Sequence, residues 1–194
     1  MARIELLDPE KAEGRVKEVF DRVKSYYHMV PGLQKALCYL PETTNALWDL
    51  SLATASEGSI REELKRVFFA VTAHEVECEY CTAAHMIALL GQKWTQEECT
   101  EVILGKHSPR LSDKENAAVD FARAVAQRPA GITQEQVDAL REIGWTDAEV
   151  VEIVAAVALM KYTTTVASAL DVPLEKAMEG VGVSCGVPLN KLDG

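Results

Sequence analysis

At five of the proposed helix starts a Ser or Thr is followed three residues later by Glu or Gln: Ser59/Glu62, Thr95/Glu98, Ser112/Glu115, Thr133/Gln136 and Thr146/Glu149. In that spacing the hydroxyl accepts from a first-turn backbone N–H, and the Glu or Gln reaches back to the N–H of the cap. Each pair therefore marks a helix start. Asp8-Pro9 adds a start with proline at the first helical position, and Asp171-Val172-Pro173 marks another. Gly58, Gly91, Gly105, Gly131 and Gly144 fall between the proposed helices, where a left-handed residue commonly ends a helix. These signals predict helices near 9–28, 42–57, 60–90 (whole or broken), 95–104, 112–127, 133–143, 147–170 and 173–180. No Asn-Gly or Asp-Gly hairpin signal lies between alternating apolar runs. The fold class is all-α.

Apolar stripes support it. Val119, Ala122, Val125 and Ala126 recur at three-to-four spacing, as do Val137, Leu140 and Ile143. The segment 150–159 is apolar nearly all round, broken by Glu152, and needs cover from the core, a second subunit or both. With 194 residues and 48% hydrophobic content, the chain can bury a substantial core. It divides into an N-terminal helical extension (1–40), a helical domain (41–180) and a Gly- and Pro-bearing tail (181–194) read as a flexible end. A net charge of -10 repels phosphate backbones, so no nucleic acid is expected as a partner. No uncharged apolar run approaches the roughly 18 residues of a membrane span, so no membrane partner is expected. The first ten residues carry Arg3, Glu5 and Asp8 rather than the apolar core of a secretory signal. A cytoplasmic location is the expectation.

Of five cysteines, only Cys78 and Cys81 are close in sequence; Cys38, Cys99 and Cys185 read as buried or incidental thiols. Glu75, Cys78, Cys81 and His85 are separated by three, three and four residues. On one continuous helix such steps share a face, so a carboxylate, two thiols and an imidazole are expected along one ridge. A thiol must become a thiolate to attack a peroxide, and His85 lies one turn from Cys81 to take its proton. The attacking cysteine then becomes a sulfenic acid, which a second thiol one turn away condenses into a disulfide. Cys81 is the candidate attacker and Cys78 the candidate resolving thiol, though the spacing alone leaves the order open. Glu75 could hold or pass a proton. Tyr80 projects off the ridge and could line a neighbouring pocket; with Glu63 it is a candidate proton-relay residue. Zinc fits poorly. Glu75 and His85 would lie about 15 Å apart along a helix, and no second Cys or His pair completes a tetrahedral set. No metal and no cofactor is expected.

The wording Glu-x-x-Cys-x-x-Cys-x-x-x-His, here Glu75, Cys78, Cys81 and His85, resembles the core motif of the alkylhydroperoxidase D / carboxymuconolactone decarboxylase family, in its peroxidase-related branch. Leu64 to Ala73 is similar to the family's apolar helix. Gly144-Trp145-Thr146-Asp147 and Leu170-Asp171-Val172-Pro173 are similar to its C-terminal half. The resemblance implies an AhpD-like helical bundle assembling as a homo-oligomer (trimer or hexamer), and antioxidant thiol-dependent reduction of organic hydroperoxides or hydrogen peroxide. It implies a dithiol protein or small thiol as the reducing partner. By position it makes Cys81 peroxidatic, Cys78 the residue exchanging with the reductant, and His85 part of the proton relay. One departure stands out: the position twelve before Cys78, often a relay glutamate in such relatives, is Arg66. Glu63, one turn earlier, and Glu75 are the candidate substitutes. The dithiol argues against a decarboxylase-type lyase, which needs acid–base groups and no thiol pair. A redox-sensing or disulfide-exchange module without turnover is the non-enzymatic alternative. Trp48, Trp94 and Trp145 read as core or interface anchors.

Overall fold

The computed structural model describes residues 2–178 and Val181. Nine α-helices follow one another among them: α1 (Gly14–Tyr27), α2 (Gly32–Leu37), α3 (Pro41–Ser56), α4 (Glu62–Glu75), α5 (Glu79–Gly91), α6 (Gln96–Ile103), α7 (Asp113–Gln127), α8 (Gln134–Glu142) and α9 (Asp147–Ala169). The described residues contain no strand.

Four of the five capping boxes form, at Thr95, Ser112, Thr133 and Thr146. Ser59/Glu62 does not. Arg61 is the N-cap of α4, and its side chain makes no capping bond. Ser59 is held instead by Glu152, which accepts from the backbone N–H groups of Ser59 (2.9 Å) and Ile60 (3.2 Å). Glu152, the charge that interrupts the apolar run of α9, also meets the buried Lys65 Nζ at 3.1 Å. Lys65 donates further to the Glu57 carbonyl. A buried ammonium is tolerable only with such partners. Gly58, between them, has φ +88°, and a Cβ there would come within 2.2 Å of the Glu152 carboxylate. The helix expected over 9–28 is divided: a 3-10 turn at Pro9–Lys11, capped by Asp8, precedes α1. Helix α2 had no sequence signal, because its N-cap is Pro31, which makes no side-chain bond.

Helix α4 lies at the centre, with Leu64, Val67, Phe68, Ala70, Val71 and Ala73 buried against α5, α7 and α9. Helix α9 is long and apolar enough to cross a membrane by length and composition, yet 44% of that stretch is buried inside the protein. Ile153, Ala156, Val157 and Met160 enter the core, while Val151, Val154 and Tyr162 stay exposed. The N-terminal extension builds its own small core of Val19, Phe20, Val23, Val30, Cys38 and Trp48 against α3. It is also tied to the far end of the chain: the Arg3 backbone N–H and guanidinium donate to the last carbonyls of α9, at Ser168, Ala169 and Leu170. Cys185 and nearly all of the 181–194 tail fall outside the described residues.

Candidate active site

The expected ridge is broken between Glu75 and Cys78. Helix α4 ends in a turn where the Glu77 N–H bonds to the His74 carbonyl (2.9 Å) and the Cys78 N–H to the Ala73 carbonyl (2.9 Å). Glu77 takes φ +56°, the position usually left to glycine in this closing motif. The chain turns there, and Cys78 becomes the N-cap of α5. Nothing in the sequence marks Glu77 for that conformation.

This corrects the expected place of Glu75. Its carboxylate pairs with Arg123 and accepts from Gln127 Nε2 at 2.8 Å, both on α7. Arg123 also donates to the Val102 and Ile103 carbonyls that end α6 (2.9 and 3.1 Å). Glu75 is thus a bolt between α4, α6 and α7. Glu63 is occupied too: it accepts from Trp94 Nε1 at 2.6 Å and pairs with Arg61 and Arg110. Neither glutamate lines the cavity described below.

Cys78, Cys81 and His85 do remain together at the start of α5. Both thiols are buried and reduced. Cys78 Sγ accepts from the Cys81 backbone N–H at 3.4 Å, the N-cap bond of the helix. It also accepts from the Cys81 thiol and the Ser168 hydroxyl. These donors hold the Cys78 thiol down to about 7, against its burial and the charge of Glu79. The positive end of α5 acts in the same sense. Cys81 is pushed far up, because it donates to Cys78, is buried and faces the Cys78 charge. Ser168, in the last turn of α9, was not foreseen; no local signal ties it to a cysteine ninety residues earlier. His85 packs on the Phe69 ring at 5.2 Å between centroids. Burial, and then the charge of Arg66, lowers its pKa to about 4, so it is neutral at pH 7.

Cys81 and His85 open onto a cavity of about 510 Å³. Its wall is mostly apolar and aromatic, including Tyr26, Tyr27, Trp48, Phe69, Leu159 and Met160. Tyr26, Tyr27 and Trp48 meet edge to face, with centroids 5.0 to 5.5 Å apart. Tyr80 reaches the wall, as its offset from the ridge allowed. Its hydroxyl accepts from the Leu33 N–H and donates to Glu175 Oε1, both at 3.4 Å. Burial and the Glu175 charge keep that phenol protonated. Glu175 also accepts from the Gly32 N–H. The segment after α9 is thereby strapped to α2 across the cavity. Arg66 lines the cavity as well, paired with Glu62 through Nε (3.0 Å) and Nη2. Among the described residues, no group of three or more His, Cys, Asp or Glu side chains is placed to hold a metal ion.

Residues 41–124 match the model of the carboxymuconolactone decarboxylase family. No curated protein matches the chain in sequence. Among solved structures, the chain is similar to an uncharacterized peroxidase-related protein with an alkylhydroperoxidase AhpD core from Ralstonia eutropha JMP134. That match has a TM-score of 0.81 and 19% identity, over 93% of this chain and 96% of that one. It is similar to a peroxidase-related protein from Silicibacter sp. TM1040, with TM-score 0.77 and 21% identity, covering 90% and 94%. It is also similar to the debrominase Bmp8, in a cysteine-to-alanine variant complexed with 2,3,4-tribromopyrrole. There the TM-score is 0.79 and the identity 19%, covering 93% and 95%. The all-helical architecture of the described residues and the solved structures agree: the chain has the AhpD-like fold, and its residues 41–124, which hold the Cys-x-x-Cys turn, are similar to the carboxymuconolactone decarboxylase family.

Proposed function

We propose that the protein is a thiol-dependent reductase of organic hydroperoxides that cycles Cys78 and Cys81 through a disulfide. The observation that carries this reading is the division of labour between the thiols: Cys78 is buried behind Cys81 and holds the charge, while Cys81 lines the cavity. The proton on Cys81 passes to the Cys78 thiolate or to the neutral imidazole of His85. The Cys81 thiolate then attacks the terminal oxygen of the hydroperoxide. The O–O bond breaks, Cys81 becomes a sulfenic acid, and the alkoxide leaves as the alcohol by taking that proton. The Cys78 thiolate attacks the Cys81 sulfur and displaces hydroxide, closing the disulfide. A dithiol protein or small thiol returns both cysteines to the reduced state.

The test is steady-state hydroperoxide consumption with a dithiol reductant, comparing the wild type with Cys78→Ser and Cys81→Ser. Both variants should lose sustained turnover. Wild-type turnover in Cys81→Ser would refute the assignment. A disulfide that forms without turnover under any reductant would point to a redox-sensing module.

The aromatic wall beside Cys81 favours a second reading, reductive dehalogenation of a halogenated aromatic, the substrate type in the Bmp8 complex. There the dithiol supplies two electrons: the carbon–halogen bond is replaced by carbon–hydrogen, halide and a proton are released, and the disulfide forms. Bromide release from tribromopyrrole in the presence of a dithiol separates the two. We further propose a homo-oligomer, supported by the exposed apolar residues Val151, Val154 and Tyr162 of α9. Sedimentation of a monomer at micromolar concentration would oppose it.

A further inference from the structure

A peroxide O–O group occupies a small part of about 510 Å³. The rest of the cavity must select whatever the peroxide or halogen is attached to. Its mouth exposes Tyr26, Tyr27 and Met29, each at least 40% accessible. Aromatic rings left open around a concave site favour an apolar ligand body. Among the described residues, the one side chain in this wall that is always cationic is Arg66.

Arg66 is not used up by its neighbours. Nε and Nη2 donate to one oxygen of Glu62, whose side chain is half in solvent, and the Tyr26 hydroxyl takes a further bond. A guanidinium carries five N–H donors in a planar fork. The Arg66 side chain keeps 20% of its surface exposed and lines the cavity. A planar fork beside aromatic faces is the group best matched to a carboxylate. The other charged group among the described wall residues, Glu175, already accepts from Gly32 and Tyr80. The same rings could cradle a cationic ligand, but Arg66 beside Tyr26 repels one. Two further wall residues, Gln34 and Gln92, each have a buried carbonyl oxygen with no partner among the described residues. They accept, so they suit a hydroxyl or hydroperoxide O–H on the ligand.

We propose that this cavity binds an apolar organic acid, its body among Tyr26, Tyr27, Trp48 and Phe69 and its carboxylate on Arg66. The inference rests on the cavity being the substrate site of the dithiol, and it narrows the substrate to an acid bearing the reducible group.

The probe is a matched pair, 2-naphthoate and 2-naphthamide, titrated calorimetrically into the reduced wild-type protein with no peroxide present. The acid should bind at least about tenfold more tightly than the amide. Arg66→Gln should remove that preference and leave amide binding unchanged. Glu62→Gln, which frees the guanidinium from its competitor, should strengthen acid binding several-fold and keeps the test open if Arg66→Gln does not fold. Equal binding of acid and amide, no binding of either at millimolar concentration, or an acid preference that survives Arg66→Gln would overturn the proposal. Because no oxidation is involved, these outcomes are independent of whether Cys78 and Cys81 react with peroxide.

Discussion

The turn that carries the thiols and the wall that faces them are built in opposite ways. The turn that holds the thiols is mostly local: Ala73 to His85 is thirteen consecutive residues, and its backbone bonds run between the end of α4 and the start of α5, with Ser168 of α9 and Arg123 and Gln127 of α7 as its distant partners. The wall is assembled from distant parts of the chain: Tyr26 to Gln34 from the N-terminal extension, Leu159 to Thr163 from α9, and Glu175 to Met178 beyond it. The family match covers the first region and stops short of those three stretches. Chemistry held in one turn can be retained while the wall changes, so members of such a fold can share a reaction and differ in substrate.

If the two regions divide the work in this way, their variants must separate. Cys81→Ser should reduce turnover about a thousandfold or more for every substrate, in a peroxide consumption assay, because it removes the attacking atom. Glu152→Ala strikes the scaffold that both regions share. It leaves the Lys65 ammonium buried without its carboxylate and should cost about 3 kcal/mol in denaturant unfolding. Tyr26→Ala should raise KM about tenfold for a bulky aromatic hydroperoxide and leave hydrogen peroxide reduction unchanged. Equal effects on both substrates would erase the distinction between wall and turn.

The pH predictions are finer. The rate of reaction of the dithiol with a small peroxide should rise with pH to a plateau, with its midpoint near 7, set by Cys78. In Cys81→Ala, which deletes the largest donor to Cys78, alkylation of Cys78 should show its midpoint shifted toward the ordinary thiol range. His85 has a folded-state value of about 4, below its ordinary 6.5. The unfolded chain therefore takes up that proton first as pH falls. Stability should decline between pH 6.5 and about 4 and level off on this account below that. His85→Phe should flatten that limb by about 1–3 kcal/mol in pH-dependent unfolding.

What could be read in the sequence follows the same division. Capping boxes at Thr95, Ser112, Thr133 and Thr146 are local bonds, and they formed where the spacing placed them. The Cys78–Cys81–His85 grouping is local too. Glu75 was misplaced because a non-glycine residue, Glu77, adopts a left-handed conformation without any compositional mark. Ser59 was misjudged because the carboxylate that holds it, Glu152, comes from α9. The cavity was invisible for the same reason. Tyr26 and Tyr27 look like ordinary helical surface until α3, α5 and α9 are packed beside them. Arg66 was noticed as a departure at a relay position, and its place in the cavity wall emerged only with the fold.

The most direct test of the central claim is peptide mass spectrometry after one equivalent of an organic hydroperoxide, on wild type, Cys78→Ser and Cys81→Ser. The account predicts a Cys78–Cys81 disulfide in wild type, a trappable sulfenic acid on Cys81 in Cys78→Ser, and no oxidation of Cys78 in Cys81→Ser. Thiols that stay reduced at millimolar peroxide, or a sulfenic acid found on Cys78 alone, would contradict it.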